Sequence, residues 1–194
     1  MVKLTGTKKI NIAVFISGTG SNFKNLILYS LKKNSIFKIP LVISNNSKAK
    51  GLDYAIKYKI KKKIINYSNV NNAEKKILLN LKKNKIDLIC LAGFMRILSK
   101  NFIKKFLGKI LNIHPSLLPK YKGLKTHQRV ISNNEKYSGC TVHYVGAELD
   151  SGEIILQKKI KVLKYDTHIK LEKKILKQEH LLYPKALNKI LSNL

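Results

Sequence analysis

The feature that most constrains the fold is an alternation, over the first half of the chain, between short apolar runs and longer lysine-rich segments. The apolar runs are rich in branched residues, which is typical of buried parallel strands, and the segments between them carry apolar residues at helical spacing. Strands are predicted at residues 11–17, 39–44, 62–67, 86–93 and 109–114, and helices at residues 22–32, 48–57, 72–83 and 99–106. This order predicts a doubly wound parallel sheet with right-handed crossovers.

The second half of the chain follows a different pattern. Residues 127–132 favour a short helix, and residues 140–145 and 153–162 are typical of antiparallel strands that extend the sheet. A final helix is predicted over residues 166–191, beginning at an Asp-Thr cap, and Pro184 is expected to break or kink it. No linker, repeat or charge block divides the chain, so it is predicted to form one domain.

The charge of the chain is strongly positive, with 39 Lys and Arg against 10 Asp and Glu and a formal net charge of +29. Such an excess suggests nucleic acid or another anionic partner. Only Arg96 and Arg129 are arginines, however, and arginine is the better residue for bidentate contacts to phosphates and bases. Lysine, isoleucine and asparagine are all abundant, as an A+T-biased coding sequence would produce. The pattern favours a solvated surface and leaves a functional basic field open.

The cysteines and the N-terminus bear on the cellular compartment. Cys90 and Cys140 lie in apolar runs without CxxC spacing, which predicts buried, reduced thiols in a cytosolic protein. Basic residues precede the first apolar run, as in a signal peptide, but the uninterrupted run Ile12–Ile16 is too short for one. No apolar stretch reaches the length of a membrane span. A soluble, cytoplasmic protein is therefore predicted.

The glycine-rich stretch SGTGSN, residues 17–22, lies where the first strand meets the first helix. Glycines there let the backbone approach a ligand, and the helix N-terminus offers free N–H groups to an anion. Phe23 stands where a dinucleotide fingerprint requires a third glycine, and a Walker A lysine is missing. The stretch therefore predicts a cradle for a single phosphate, although a tight turn without a ligand stays possible.

Asn112 and His114 are two residues apart at the carboxyl end of a predicted strand, so both side chains point to one face. Ligands of open α/β sheets bind outside that end. An amide donor beside an imidazole suits a developing oxyanion, and histidine also moves protons near neutral pH. A histidine at a strand end is often structural, but a loop with Pro115 and Pro119 follows and favours a fixed functional site.

A second polar group lies in residues 138–157. Thr141 and His143 share one face of a predicted strand, and Asp150 lies in a turn. An aspartate in a turn is solvent-exposed by default. If this turn folds over the same sheet end, Asp150 can orient His114 and favour its charged form. Spacing alone does not bring the two together.

These features belong to five stretches that span nearly the whole chain. They are NIAVFISGTGSN (11–22), LICLAGFMRILS (88–99), LNIHPSLLPKYKGLKTH (111–127), GCTVHYVGAELDSG (139–152) and KQEHLLYP (177–184). Together they resemble the glycinamide ribonucleotide formyltransferases of purine biosynthesis. The resemblance implies an α/β fold with a Rossmann-like doubly wound, mostly parallel sheet, C-terminal antiparallel strands and a long final helix. It also implies one formyltransferase domain at residues 1–194, with a phosphate-binding half at about 10–100 and a catalytic and folate-binding half at about 88–194.

The same resemblance implies the chemistry and the site residues. In that family a formyl group passes from 10-formyltetrahydrofolate to the amine of the ribonucleotide, and no metal takes part. The implied catalytic trio is Asn112, His114 and Asp150, with Thr141 and His143 in support. The implied substrate-binding residues are Gly18, Thr19, Gly20, Ser21 and Asn22 for the phosphate and Glu179 for the glycinamide or ribose. The implied folate-binding residues are Met95, Arg96, Ile97 and Leu98, together with Asn112 and Asp150.

Other functions are less consistent with the chain. A methionyl-tRNA formyltransferase would carry a further C-terminal RNA-binding domain, and a formyltetrahydrofolate deformylase an N-terminal regulatory domain. A nucleic-acid-binding module is suggested by the charge alone and leaves the motifs unexplained. The expected partners are two small-molecule substrates, with no membrane, and either a monomer or a homodimer fits the sequence.

Overall fold

The computed structural model describes residues 9–192, so the basic residues before Lys9 that precede the first apolar run lie outside it. The strands are β1 (Ile10–Ile16), β2 (Phe37–Ser44), β3 (Lys61–Ile64), β4 (Leu88–Leu91), β5 (Lys109–His114), β6 (Tyr137–Tyr144) and β7 (Ile154–Lys161). The helices are α1 (Ser21–Ser30), α2 (Gly51–Lys57), α3 (Val70–Lys83), α4 (Lys100–Lys105), α5 (Thr126–Ser132) and α6 (His168–Leu191). Each predicted strand and helix has a counterpart at nearly the predicted place.

The strands form one seven-stranded sheet in the order β3-β2-β1-β4-β5-β6-β7. Strands β1 to β5 pair in parallel, whereas β6 is antiparallel to both β5 and β7. The predicted doubly wound, mostly parallel sheet with C-terminal antiparallel strands is confirmed. The strand order reverses between β1 and β4, and ligands of such sheets bind outside the carboxyl ends of the strands at that reversal.

The core has two layers, one on each face of the sheet. Alternate residues of β1 point to opposite faces, as the strand period requires. Val14 packs with α1 and α6 on one face, and Phe15 packs with α3 and α4 on the other. Both residues are fully buried, which explains why β1 has an uninterrupted apolar sequence.

The edge strand β3 is shorter than predicted and ends at Ile64 instead of residue 67. All four of its residues are exposed, and three of them are lysines. Lysines on an exposed edge discourage pairing with another sheet. Some of the positive charge of the chain therefore covers a sheet edge.

Helix α6 begins as predicted and then departs from the prediction. Thr167 caps it, since its hydroxyl accepts a hydrogen bond from the backbone N–H of Lys170 at 3.3 Å. A break or a kink was predicted at Pro184, and the break is wrong, because the helix continues through Pro184 to Leu191. A proline cannot donate to the carbonyl four residues earlier, which here belongs to His180. The Asn25 side-chain amide donates to that carbonyl instead.

Two further expectations concern cysteines and membrane spans. Cys90 and Cys140 are free and buried, as predicted. Burial raises the pKa of each thiol to about 12, so neither is an effective nucleophile at neutral pH. Between residues 9 and 192, no helix combines the length and apolar character that crossing a membrane requires.

Candidate active site

The candidate site lies at the carboxyl ends of β1, β4 and β5, where the strand order reverses. Antiparallel pairing with β6 places His143 opposite Asn112 and Thr141 opposite His114. Directly opposite residues on an antiparallel pair have side chains on the same face. The sheet therefore brings these four side chains together, which no local spacing predicts.

Asp150 completes a cluster with Asn112 and His114. Its Oδ2 lies 3.3 Å from His114 Nδ1, and its Oδ1 accepts from Asn112 Nδ2 at 3.4 Å. The default expectation that Asp150 is solvent-exposed is wrong, since only 9% of the residue is exposed. Its backbone has a φ of +48°, a left-handed conformation that most side chains avoid. The turn therefore folds over the sheet end and directs the carboxylate at the histidine.

His143 supports this cluster by holding Asn112. Its Nδ1 lies 2.8 Å from the carbonyl oxygen of Tyr144, which only accepts hydrogen bonds, so Nδ1 carries the proton. Burial lowers the pKa of His143, so the ring is neutral at pH 7 and Nε2 is an acceptor. Asn112 Nδ2 donates to that Nε2 at 3.3 Å. The amide group of Asn112 is therefore oriented with its nitrogen toward the cluster.

Thr141 acts on the proline loop and not on the cluster directly. Its hydroxyl donates to the carbonyl of Ser116 at 2.6 Å and accepts from the backbone N–H of Leu118 at 3.1 Å. Gln157, on β7, donates to the carbonyl of Leu118 at 2.8 Å. These bonds fix the loop that follows His114. Thr141 therefore supports the loop, whereas His143 supports Asn112.

The glycine-rich loop has the geometry of an anion cradle. Gly20 adopts a φ of +72° and immediately precedes α1, whose first N–H groups have no acceptor within the helix. No side chain caps this helix and no acidic residue lies in its first turn. A Cβ on Gly20 would lie 2.5 Å from the Cα of Gly51, so the two backbones touch and only glycine fits.

Glu179 reaches this loop from α6. Its Oε2 accepts from Asn22 Nδ2 at 2.7 Å, and burial raises the pKa of the Glu179 carboxyl to about 7. The position of the helix is fixed one turn later, where the hydroxyl of Tyr183 lies 3.0 Å and 3.2 Å from the carbonyl oxygens of Leu91 and Leu111. The predicted neighbours Asn22 and Glu179 therefore meet, although they are far apart in the sequence.

The segment after β4 shows a mixed exposure. Met95 and Ile97 are 62% and 72% exposed, and Arg96 is also exposed, whereas Leu98 is buried. The backbone N–H of Met95 donates at 2.8 Å to the hydroxyl of Ser17, the first residue of the glycine-rich stretch. This role of Ser17 was not predicted, because nothing in the local sequence shows which segments the sheet places side by side.

Metal ligands and surface cavities lie in other parts of the molecule or are not found among the described residues. In the part of the chain that the structure describes, no group of three or more His, Cys, Asp or Glu side chains could hold a metal ion. Two surface cavities flank α3, and none of the site side chains lines them.

A family model of known proteins matches nearly the whole chain. Residues 10–187 match the Formyl transferase family. The chain belongs to the formyltransferase family. The resemblance that the five motifs indicated is confirmed, and so is the Rossmann-like fold that it implied.

Relatives within this family differ in length. The human trifunctional purine biosynthetic protein adenosine-3 is 44% identical over 188 residues, which are 95% of this formyltransferase chain and 19% of that protein. The chain therefore spans less than a fifth of that relative. The phosphoribosylglycinamide formyltransferase of Haemophilus influenzae is 42% identical over 176 residues, which cover 89% of this chain and 83% of that enzyme.

A solved structure has the same fold over nearly its whole length. The crystal structure of phosphoribosylglycinamide formyltransferase from Brucella melitensis matches with a TM-score of 0.90 at 42% identity. The match covers 95% of this chain and 96% of that one.

Proposed function

We propose that this formyltransferase moves the formyl group of 10-formyltetrahydrofolate to the amine of glycinamide ribonucleotide, as a step of purine biosynthesis. The observation that carries the proposal is the meeting of Asn112, His114 and Asp150 at the sheet end, beside a glycine-rich anion cradle. The similarity to phosphoribosylglycinamide formyltransferases supports the choice of acceptor.

The reaction proceeds by direct attack. The amine nitrogen of the ribonucleotide forms a bond with the formyl carbon, whose oxygen becomes a tetrahedral oxyanion. The bond from that carbon to the folate nitrogen then breaks. One proton leaves the attacking amine and one is taken up by the folate nitrogen, so the products are formylated ribonucleotide and tetrahydrofolate. No protein nucleophile is required, and holding the two substrates together supplies a large share of the rate.

Asn112 and His114 are the oxyanion donors. The amide contacts of Asn112, at 3.3 Å and 3.4 Å, are long, so its nitrogen can turn toward a developing charge at little cost. His114 Nε2 lies 2.9 Å from the carbonyl oxygen of Tyr121, a partner that only accepts. Protonated His114 therefore uses its Nδ1 proton, on the side of Asp150, for the oxyanion.

Asp150 faces the imidazole ring of His114 and carries the proton from the attacking amine toward the leaving nitrogen, through a water molecule where the distance requires it. Its carboxylate is buried against His114, where the low dielectric strengthens their attraction. The backbone N–H of Gly123 donates to Asp150 Oδ2 at 2.9 Å and fixes the carboxylate.

The two substrates occupy neighbouring parts of the cleft. The phosphate binds to the loop of Gly18, Thr19, Gly20, Ser21 and Asn22, and the Glu179 carboxylate takes the glycinamide or ribose. Met95, Arg96, Ile97 and Leu98 line the folate pocket. The exposure of Met95 and Ile97 supports this role, because a bound pterin would cover apolar surface that otherwise faces water.

Two wider features belong to the same proposal. The phosphate-binding half and the catalytic half act as one formyltransferase domain, which the shared seven-stranded sheet supports. The reaction takes place in the cytoplasm, which the free Cys90 and Cys140 support, since thiols stay reduced there.

The test is an absorbance assay of 10-formyltetrahydrofolate consumption with and without glycinamide ribonucleotide. We expect consumption only when the ribonucleotide is present, with one formylated product for each folate released. Folate release without an acceptor would reject the transferase and indicate a deformylase.

A further inference from the structure

The short segment Tyr121–Gly123, in the loop after β5, contacts two members of the catalytic trio through its backbone. The carbonyl oxygen of Tyr121 lies 2.9 Å from His114 Nε2, and the N–H of Gly123 donates to Asp150 Oδ2 at 2.9 Å. Any shift of this segment therefore moves the ring of His114 and the carboxylate of Asp150 together.

Two residues of this segment adopt a left-handed backbone conformation. Tyr121 has a φ of +58°, and Gly123 a φ of +77°. The left-handed conformation is unfavourable for a residue with a side chain, whereas glycine adopts it freely. Tyr121 therefore needs contacts elsewhere that keep its carbonyl directed at His114.

Arg129, on α5, supplies two such contacts at once. Its guanidinium carbon lies 5.2 Å from the centre of the Tyr121 ring, and its Nη1 donates to the carbonyl of Lys122 at 2.7 Å. The planar guanidinium can stack on a ring while an N–H at its edge donates a hydrogen bond, a combination that a lysine ammonium does not offer. Arg129 is one of only two arginines in a chain rich in lysine.

The other end of the Tyr121 side chain is also held. Its hydroxyl donates to Glu135 Oε1 at 3.0 Å and accepts from Asn133 Nδ2 at 2.9 Å. Lys120 pairs with the same Glu135 oxygen at 2.9 Å. The ring is therefore held at its face by Arg129 and at its hydroxyl by Glu135 and Asn133.

We propose that Arg129 is a positioning residue for the formyl transfer, which fixes the Tyr121–Gly123 segment and through it the orientation of His114 and Asp150. The effect of Arg129 reaches the trio through the carbonyl of Tyr121 and the N–H of Gly123. The proposal rests on the proposed function for its kinetic consequence, while the orientation of His114 is a property of the free protein.

Steady-state kinetics of Arg129→Ala, Arg129→Lys and the control Gln128→Ala test the kinetic consequence. Gln128 is the exposed neighbour on the same helix. We expect Arg129→Ala to lower kcat by about 10-fold or more, because small misplacements of reacting groups are costly. The KM of each substrate should stay within about twofold, since none of the proposed substrate-binding residues is changed. Arg129→Lys keeps a donor for the Lys122 carbonyl and should recover part of the loss, and Gln128→Ala should match the unchanged protein.

Nitrogen-15 NMR of the His114 ring tests the orientation without any substrate. We expect the Nε2 signal to lose the shift of a hydrogen-bonded N–H in Arg129→Ala and to keep it in Gln128→Ala, with both variants folded by thermal denaturation. Should Arg129→Ala not fold, Arg129→Lys decides the point by the same spectrum. An unchanged His114 signal together with an unchanged kcat would overturn the proposal. If the unaltered protein fails to transfer formyl groups, the proposed function fails, and the NMR result still decides whether Arg129 orients His114.

Discussion

His114 Nδ1 lies 3.3 Å from Asp150 Oδ2, and only 7% of each side chain is exposed. The two residues come from different parts of the chain, one from the end of β5 and the other from the turn between β6 and β7. A buried carboxylate beside an imidazole is a strong interaction, and removal of either partner leaves the other uncompensated. The pair is therefore the part of the site most sensitive to a change of charge.

Replacement of Asp150 by asparagine keeps the size of the side chain and removes its charge. We expect turnover to fall by about 100-fold or more, because the imidazolium loses its partner and the amine loses its proton acceptor. Folate affinity should be largely retained, and kcat and the folate Kd are the quantities to measure. Glu148→Gln, an exposed change in the same turn, is the control. Unchanged turnover in Asp150→Asn would remove Asp150 from the trio.

Gly20→Ala tests the close contact in the glycine-rich loop. The new methyl group would meet the Cα of Gly51 at 2.5 Å, at a residue with a φ of +72°. We expect the free energy of unfolding to fall by about 2 kcal/mol or more, from the positive φ and the overpacking together. Gly18→Ala is a matched control in the same loop, since a Cβ there meets nothing within 4 Å. Denaturant unfolding of both variants makes the comparison, and equal stabilities would contradict it.

The raised pKa of Glu179, at about 7 against an ordinary 4.5, predicts a pH dependence of stability. The folded state binds the proton more tightly than the unfolded state, so the free energy of unfolding falls as the pH rises through this window. The full fall is about 3 kcal/mol, at roughly 1.4 kcal/mol for each pH unit. In Glu179→Gln this pH-dependent loss of unfolding free energy should be absent, whereas the exposed control Glu153→Gln should retain it. Urea unfolding from pH 4 to pH 8 measures the free energy of unfolding. If it depends on pH in the same way in Glu179→Gln and in the unaltered protein, the prediction is wrong.

The net charge of +29 predicts a salt dependence of substrate capture. Both substrates are anionic, so a positive field should raise their association rates, and salt should screen it. We expect kcat/KM for each substrate to fall as the ionic strength rises, with kcat nearly constant. A kcat/KM that does not respond to salt would leave the lysines without a role in capture.

Local patterns predicted the sheet and half of the site. The alternation of apolar runs with helical patterns was sufficient to locate β1 to β5, although β3 is exposed and ends earlier than predicted. The strand period also placed Asn112 and His114 on one face. Asp150 could not be located in this way, because its burial depends on the antiparallel pairing of β6 and on a left-handed turn.

The errors have the same physical origin. The rule that proline ends a helix is local, and at Pro184 it fails because Asn25, on another helix, satisfies the carbonyl of His180. The local sequence does not indicate the proposed role of Arg129 either, because that role depends on its contact with the Tyr121 ring. Residues that act through tertiary contacts are invisible to spacing, whereas residues that contact substrate often lie in recognisable motifs.

The most direct test of the central claim is the turnover of Asn112→Ala and His114→Ala in formyl transfer to glycinamide ribonucleotide. Each variant loses one donor to the oxyanion, and such a loss costs about 100- to 1000-fold in kcat. We predict a fall of that size in both variants, with the formylated ribonucleotide quantified by mass spectrometry and folding checked by thermal denaturation. Near-normal turnover in either folded variant would contradict the account.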